Sequence, residues 1–452
     1  EVLLSAAFGG KGILVEQGAS IDTLTGANTS RVAQPTAPYL VSGGLLAVSN
    51  QRLTALSAQG GSAAGPVAID IGGCVVDCNG QTRLLSAGSI NVVTDGALSI
   101  GDAVSYGTRQ LGLGMSALNL GSAEAIAVAA AAGGLPAGMT MNQEVLQRLL
   151  RGNTATGAPA LEALSLTARD AINVFGSVDL DTRDGATGRS SLRSLVLGAP
   201  AIHGYGSAAD HARIFADTLV WDGTLAGTTL PGGEQTQPAG EAMVGRLGQG
   251  QLEINARALE LGRAPFTRPS SSVAADRQVL GFAGVTLAAS DRMLFSGKGS
   301  LDVFQRQGDY VAGSGWQFSG GALDIVTPLL TGSAGAQLAI RNGGTVQLRG
   351  AAATAGSDAL GAELSITAER VVIDSRVALA SGRFEANARQ GVALGSNAVL
   401  DMAGRKVSLF DVDKYSWGGD VALSSRDGDI VADAASRIDL SARNNRGGRL
   451  TV

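Results

Sequence analysis

The sequence predicts an all-β protein whose main architecture is a right-handed parallel β-helix, a solenoid of stacked coils with a small helical insertion and loop excursions. Three observations lead to this prediction. Short apolar runs alternate with a period of two residues, and they recur in one frame at a spacing of about twenty residues. Gly accounts for 65 of 452 residues and aromatic residues for only 4%, which suits narrow coils with tight corners.

The clearest copy of the repeat begins with LSITA at 364–368. A second apolar strand follows at 371–373, and the copy ends on the apolar residue Leu379. The same frame fits segments that start at residues 164, 285, 384 and 421. So short a strand cannot bury its apolar face alone, and stacking of successive coils would form the core. Propellers and sandwiches fit less well, because blade signatures are absent and a sandwich would lack the fixed register.

The repeat and its interruptions divide the chain into three predicted parts. Residues 1–121 are expected to form N-terminal coils, 122–163 a helical insertion, and 164–452 further coils. The stretches 224–250 and 262–278 are polar and marked by glycine and proline, so we expect long surface loops there.

The insertion contains one strongly amphipathic segment, 140–152. Thr140 is expected to cap this helix, with Gln143 three residues later, and Gly152 is expected to end it. The segment 122–132 predicts a second, weaker helix. The apolar face should dock on the flank of the coils, either as a partner-binding element or as a lid over exposed apolar surface. Its residues are Val145, Leu146, Leu149 and Leu150.

Charge and cysteine content narrow the function. The net charge is −5 and the sequence has no basic block, so no nucleic-acid partner is expected. No apolar stretch reaches the roughly 18 residues that span a bilayer. Cys74 and Cys78 have no second pair and no nearby His to complete a zinc site. In an exported protein they are expected to form a disulfide, and in a cytosolic one they would be free thiols.

Clustered carboxylates raise the question of catalysis. The densest group is Asp179, Asp181 and Asp184, and catalysis on a β-helix would need such a group beside a basic residue. D-x-D beside glycine is also ordinary turn sequence, so a structural role is the preferred interpretation. The two histidines, His203 and His211, lack a third ligand, and no metal or cofactor is expected. Two further acidic pairs are Asp411 with Asp413 and Asp427 with Asp429.

Another aspartate recurs just after the last apolar residue of several copies, and Ala380 interrupts the series. We interpret these aspartates as solvent-exposed turn residues, because a functional row should be unbroken or paired with arginines. Those considered are Asp181, Asp302, Asp401 and Asp439.

Aromatic residues in glycine-rich turns are candidates for contact with a glycan or a protein partner. Trp316 lies in GSGWQF, and Tyr415 and Trp417 lie in YSWGG. Packing at a corner is the alternative role for these side chains.

The segment 135–182 joins a leucine-rich helical stretch to coils of the N-x-F-G-S-V type. It resembles a region within the large secreted adhesins of the filamentous haemagglutinin family. The Gly/Ala-rich coils from about residue 80 onward, and the use of Arg in place of Lys, are similar to that family as well. The family's secretion domain is not found here, so the chain is expected to be an internal or later part of a fibre.

The resemblance implies two-partner secretion through an outer-membrane transporter barrel. It also implies display outside the outer membrane of a Gram-negative bacterium, with a receptor or glycan on a host or neighbouring cell as partner. It implies no catalytic residue and no cofactor.

These arguments favour a non-enzymatic segment of a secreted or surface-displayed fibrous adhesin, acting as a rigid rod and contact surface. One alternative is a polysaccharide-degrading lyase or hydrolase, which predicts Asp179 and Asp181 beside a basic residue in a groove. The other alternative is the stalk of a contact-dependent toxin-delivery exoprotein, which would share the architecture.

Overall fold

A computed structural model of the chain divides into two compact units. The described parts of the first unit fall within 1–203 and 213–219, and those of the second within 204–212, 220–262 and 274–452. The protein is mostly β, with 58% strand and 6% helix, and one large, predominantly parallel sheet contains most of the strands. The residues described are 1–6, 12–24, 43–51, 67–76, 79–183, 187–188, 190–223, 247–262, 274–351, 356–410 and 412–452.

The first unit contains fourteen described strands, two α-helices and one short 3-10 helix. These are β1 (Val2–Ala6), β2 (Gly12–Glu16), β3 (Ser20–Asp22), β4 (Gly44–Ser49), β5 (Ala68–Gly73), β6 (Thr82–Leu85), β7 (Ser89–Thr94), β8 (Leu98–Ile100), β9 (Val104–Gly107), β10 (Gln110–Gly121), α1 (Ala123–Ala131), β11 (Met139–Asn142), α2 (Gln143–Arg151), the 3-10 helix Thr154–Thr156, β12 (Ala163–Phe175), β13 (Val178–Leu180) and β14 (Ser194–Gly198). Residues of both units occur in β15 (Ala201–Gly204) and β16 (His211–Asp222).

Parallel pairing stacks apolar positions in the first unit. Leu111 of β10 pairs with Ile90 of β7 and with Leu164 of β12, and Leu164 pairs in turn with Leu195 of β14. All four side chains are buried. The apolar face that each short strand cannot cover by itself is therefore covered by the strands on either side.

One strand of this unit runs against the direction expected for the coils of 1–121. β4 is antiparallel both to β1 and to β7. An antiparallel neighbour needs no crossover connection, and all six residues of β4 are buried. The parallel stack that ends at β7 is thus extended by an antiparallel strand, and the prediction of uniform parallel coils is wrong here.

The predicted insertion 122–163 is partly built into the sheet. Met139 of β11 pairs with Leu98 of β8 and also with Leu118 of β10. The segment therefore supplies a strand that lies between β8 and the second half of β10, and it is more than an element docked on the flank.

The cap of α2 differs from the predicted one. The side chain of Asn142 accepts the backbone N–H of Val145 at 2.9 Å, so Asn142 is the N-cap. Thr140 lies in β11 and its hydroxyl accepts the side-chain amide of Asn119 at 3.2 Å. A β-branched residue fits a strand, whereas Asn is among the preferred caps. Gly152 ends the helix as expected, with a positive φ of 58°.

The apolar face of α2 packs on its own unit, against β11 and β13. Leu146, Leu149 and Leu150 are buried, and Val145 is half-buried. In α1, by contrast, no residue is buried, although Ser122 caps its first turn. The face singled out in the sequence thus covers local apolar surface.

The second unit consists of strands joined by turns and two hairpins. The strands are β17 (Gly250–Gly262), β18 (Arg277–Leu280), β19 (Phe282–Phe295), β20 (Lys298–Phe304), β21 (Arg306–Val311), β22 (Gly315–Ser319), β23 (Ala322–Val326), β24 (Leu329–Gly332), β25 (Gln337–Asn342), β26 (Thr345–Arg349), β27 (Glu363–Ala368), β28 (Arg370–Asp374), β29 (Arg376–Ala378), β30 (Arg383–Ala388), β31 (Val392–Leu394), β32 (Val399–Asp401), β33 (Lys406–Leu409), β34 (Val412–Tyr415), β35 (Asp420–Ser425), β36 (Ile430–Ala432), β37 (Arg437–Asp439) and β38 (Leu450–Thr451).

Most of these strands belong to three parallel ladders. Ladder A contains the first halves of β17 and β19, then β23, β26, β28, β31 and β36. Ladder B contains the second halves of β17 and β19, then β24, β29, β32 and β37. Ladder C contains β18, β20, β25, β27, β30, β35 and β38.

The chain visits the ladders in the repeating order A, B, C from β17 to β38. One step differs, because no ladder B strand is described between β26 and β27, and β24 pairs directly with β29. A constant visiting order means that each strand stacks on the strand one cycle earlier.

Three predicted copies of the repeat keep their register. Leu364 pairs with Phe384, and Phe384 with Val421, along ladder C. Ile366 is stacked in the same way on Ala386 and then Leu423. These six side chains are at most 3% exposed, so the apolar dipeptide frame of the sequence does mark the interior.

The phase of the copy that begins at residue 285 is wrong. Val285 belongs to ladder A, where the pairing runs through Leu323 and Val346 to Val371. It was expected to match Leu364, which lies in ladder C. The two ladders carry the same alternation of apolar and polar residues, so the pattern alone does not distinguish them.

The last position of the copy at 364 is Val377 rather than Leu379. Val377 pairs with Leu400 of β32, and Leu400 pairs with Ile438 of β37. Both Val377 and Leu379 are buried, so the hydrophobicity of the sequence does not indicate which of the two pairs with Leu400 in ladder B.

The two long loops fall mostly outside the described residues, since 224–246 and 263–273 are not described. Their predicted bounds were too wide. Gly250 and Gly262 are the first and last residues of β17, and Arg277 begins β18.

Phe384 provides a direct test of the stacked interior. Phe384→Ala removes a fully buried ring between Leu364 and Val421, and we expect the free energy of unfolding to fall by about 3–5 kcal/mol. Phe410→Ala is the matched control, because Phe410 is fully exposed at the turn of the hairpin β33–β34. Urea denaturation followed by circular dichroism measures both. Equal losses in the two variants would contradict the stacking.

Candidate functional site: a groove along ladder C

Ladder C carries a row of polar residues on its outer face. Lys298, Gln337, Glu363, Arg383 and Asp420 are successive register partners. Arg449 continues the row, because the next residue, Leu450, pairs with Val421. We call these six residues the charged row. Adjacent strands are about 4.8 Å apart. From Glu363 onward, each charged side chain of the row therefore has an oppositely charged side chain on the next strand.

Two adjoining cavities follow the charged row. One has a volume of about 500 Å³ and extends from Asp276 to Glu385 across four strands of ladder C. The other has a volume of about 590 Å³ and includes Trp417. Both are lined by Glu363 and Arg383, so together they form one continuous groove, which we call the ladder C groove.

Ion pairs within the groove are exposed to solvent. Arg449 approaches Asp420 at 3.3 Å, and Arg383 is paired with Glu385 on the same strand. Exposed pairs of this kind contribute little to stability. Their donors and acceptors are therefore accessible to a ligand at small cost to the fold.

Trp417 lines the 590 Å³ cavity of the groove and is 55% exposed. Its backbone is nevertheless held firmly. The Trp417 carbonyl accepts the hydroxyl of Ser381 at 2.7 Å, and the N–H groups of Gly418 and Gly419 donate to the carbonyls of Arg446 and Met402. Because this backbone is already fixed, a ligand that contacts the ring does not have to order the backbone around it.

Tyr415 is close to Trp417, whereas Trp316 is not. Tyr415 ends the hairpin β33–β34, and the guanidinium of Arg443 lies 5.9 Å from its ring centre. Trp316 is half-buried in the other hairpin, β21–β22, where it packs edge-on against Tyr310. That hairpin follows β20, four ladder steps from β35, which is roughly 19 Å along the stack. The three predicted contact residues do not form one site.

The recurring aspartates occupy different ladders. Asp401 and Asp439 are register partners in ladder B, and the preceding position is Ala378 rather than Ala380. Asp302 lies in ladder C, where its register partner is Arg341. The series inferred from the sequence therefore joined residues that are not equivalent.

These aspartates are paired with arginines, so the lack of arginine partners, one of the two grounds for interpreting them as non-functional, is wrong. Arg341 donates two hydrogen bonds to Asp302 at 2.7 Å, and both Arg376 and Arg405 contact Asp401. Asp302 and Asp401 are buried, so the expectation of solvent-exposed turn residues is wrong for them. Burial raises the pKa of Asp302, and the Arg341 guanidinium offsets only part of that rise. A buried carboxylate needs such a partner.

The carboxylates considered for catalysis are also held by arginines. Arg213 contacts Asp179 at 2.7 Å, and the Nε of Arg183 donates to Asp181 at 2.8 Å. Burial raises the pKa of Asp181, but hydrogen bonds from Arg183 outweigh it and hold that pKa below its usual range. A carboxylate that stays ionised does not serve as a general acid. Asp184 lies outside the described residues.

One aspartate of each of the other acidic pairs identified in the sequence also forms an ion pair with a basic side chain. Lys406 contacts Asp413 at 2.8 Å on the hairpin β33–β34. Arg389 and Arg426 both contact Asp427 at 3.2 Å. Asp411 lies outside the described residues. Within the described ranges, no group of three His, Cys, Asp or Glu side chains is arranged to hold a metal ion.

The two histidines have opposite environments. His203 is 4% exposed and burial lowers its pKa to about 4. His211, the first residue of β16, is exposed. The imidazole of His203 is thus a neutral core side chain at ordinary pH.

Cys74 is disulfide-bonded. Cys78, its expected partner, lies outside the described residues, so the pairing stays a prediction. In the part of the chain that is described, no helix has the length and apolar character needed to cross a membrane.

No family model, curated protein or solved structure matches this chain.

The ladder C groove was not predicted from the sequence, although a signal for it is present. Glu363, Arg383, Asp420 and Arg449 each directly precede the first inward residue of a ladder C strand. Aligning the copies by that position would have shown the alternating charges. The alternation becomes visible only when the ladder C strands are aligned with one another, which requires their register.

The buried imidazole makes folding stability depend on pH. Unfolded histidine has a pKa near 6.5, so the unfolded state binds a proton first as the pH falls from about 6.5 to about 4. Stability should fall by up to about 3 kcal/mol across that window, and His203→Gln should remove this part of the dependence. Urea denaturation at several pH values measures it, with His211→Gln as the exposed control. An unchanged pH profile in His203→Gln would contradict the burial of a neutral imidazole.

Proposed function

We propose that the chain is a non-enzymatic segment of a secreted or surface-displayed fibrous adhesin of the filamentous haemagglutinin type. Stacked coils provide a stiff scaffold, and the ladder C groove and hairpins provide contact surface. The observation that carries the proposal is the repeated A, B, C order of the parallel ladders from β17 to β38.

That order is what a right-handed parallel β-helix produces. Each coil contributes one strand to each ladder, and parallel strands joined by crossovers are right-handed in nearly all proteins. Residues such as Ile366 and Ala386 then form one continuous interior. Contacts occur only between neighbouring coils, so such a scaffold grows in length without a larger core.

A disulfide between Cys74 and Cys78, if formed in the cell as we predict, would be consistent with export. Disulfides persist in oxidising compartments and at cell surfaces, whereas cytosolic thiols are kept reduced. Passage through an outer-membrane transporter barrel, as in two-partner secretion, would deliver the chain to such a compartment.

The surface features support contact rather than catalysis. Asp179 and Asp181 lie beside Arg213 and Arg183, as the polysaccharide-degrading alternative also predicts, but the lowered pKa of Asp181 makes this carboxyl unsuited to act as the general acid of a hydrolase. The hairpins β21–β22 and β33–β34 carry side chains that are not part of the apolar interior, including the exposed ring of Phe410. We propose that a receptor or glycan on a host or neighbouring cell is the partner.

Surface display is tested on intact cells that produce the protein. Antibodies against the 452-residue chain should label unpermeabilised cells, and added protease should remove the label. Labelling that requires permeabilisation would overturn the proposal. A cytoplasmic protein detected in the same samples is the control for cell integrity.

Enzymatic activity is tested separately with the purified chain. We expect no unsaturated or reducing-end sugar to be released from a panel of acidic polysaccharides. Release that disappears in Asp179→Asn and Asp181→Asn variants would favour the polysaccharide-degrading alternative instead.

A further inference from the structure

We propose that the ladder C groove binds an uncharged oligosaccharide, with Trp417 as the stacking surface. This inference names the ligand class for the contact surface of the proposed function, and it rests on that function. It goes further in choosing among the aromatic candidates, because it includes Trp417 and excludes Trp316.

The charges of the groove are balanced and interleaved. Along the charged row, Glu363 and Asp420 flank Arg383 on the neighbouring strands. An anionic polymer lying along the row would meet a carboxylate at every second step, and like charges at that distance repel. Four acidic and five basic residues line the groove, and they are Asp276, Glu363, Glu385, Asp420, Lys298, Arg341, Arg383, Arg446 and Arg449.

Hydroxyl groups suit such a surface because each one both donates and accepts hydrogen bonds. Three groups in the groove have no ion-pair partner among the residues described, namely Lys298, Glu363 and Arg446. All three residues line the groove, and the hydroxyl groups of a sugar ring could both accept from the two basic groups and donate to the carboxylate.

A peptide ligand fits this groove less well. Extended peptides commonly add a strand to an exposed sheet edge. The strands β25, β27 and β30 are already paired on both sides, so their backbone offers no free edge. Recognition must therefore come from side chains. This favours a sugar, because its hydroxyl groups extend outward from the ring and can reach those side chains.

Trp417 adds the apolar component that a sugar needs. Its indole is exposed while hydrogen bonds to Ser381, Arg446 and Met402 fix the backbone around it. A large aromatic face contributes contact area, and the glycines 418, 419, 447 and 448 beside it leave the approach free of side chains. Stacking on this ring would fix the position of the ligand in the polar groove.

The test measures binding of defined oligosaccharides to the full chain by isothermal titration calorimetry. The probes are maltohexaose, cellohexaose and chitohexaose, with a heparin hexasaccharide and a hexagalacturonate as anionic comparisons. We expect at least one neutral probe to bind with an affinity that changes less than about twofold between about 50 and about 300 mM NaCl, because no counterions are released.

Two variants of groove residues and one control variant locate the site. Trp417→Ala should weaken binding of the neutral probe by at least about tenfold, and Trp316→Ala, the same change on the other hairpin, should leave it unchanged. Glu363→Gln, on the charged row, should also weaken binding while keeping the side-chain shape. Thermal melts that match the unchanged protein show that each variant is folded.

The inference is overturned if no neutral probe binds, if only the anionic probes bind with steep salt dependence, or if Trp417→Ala binds as tightly as the unchanged protein. Surface labelling without any neutral-glycan binding would overturn this inference alone. Glycan binding by a chain that is labelled only after permeabilisation would overturn the proposed function alone.

Discussion

The rest of the structure depends on the stacking of inward side chains from successive short strands. A strand such as β27 or β30 has only three inward positions, too few to bury an apolar face without neighbours. In-register parallel pairing places Leu364 against Phe384 and Ile366 against Ala386, so each side chain is covered from the strands on both sides. Hydrophobic burial and backbone hydrogen bonding therefore require the same register, and a slip of one residue would turn every apolar side chain outward.

This division between inside and outside determines where function can lie. The interior positions must stay apolar and of matched size, whereas the outward positions of the same strands are free to vary. In ladder C, such outward positions hold the charged row. The two hairpins are formed by the connections that follow β20 and β32. The pair between the exposed Arg341 and the buried carboxylate of Asp302 joins neighbouring strands of the ladder. It helps to fix register, while the exposed pairs around Arg383 and Asp420 leave polar groups available for contact.

Much of the fold could be predicted from the sequence, because burial imposes the period-two alternation that the residues display. The copies at 364, 384 and 421 are stacked as expected, and the helix that ends at Gly152 is present. The phase at Val285 could not be predicted, since ladders A and C carry the same alternation. The antiparallel direction of β4 cannot be recognised in its sequence, because the period-two alternation of a strand is the same in both directions. The candidate site was only partly predicted. Trp417 was identified by its glycine-rich turn, but the charged row depends on which strands are neighbours, and that requires the register.

The central claim is that residues one cycle apart lie side by side, and a pair of engineered cysteines tests it most directly. Thr367 and Asn387 are outward register partners in ladder C, about 4.8 Å apart between Cα atoms, a distance that a disulfide bridges. Glu385 lies on the same face two residues earlier, roughly 8 Å from Thr367, which is too far. After mild oxidation, peptide mass spectrometry should find a disulfide cross-link between positions 367 and 387 in the T367C/N387C variant and none between positions 367 and 385 in T367C/E385C. Cross-linking of the second pair but not the first would contradict the stacked register.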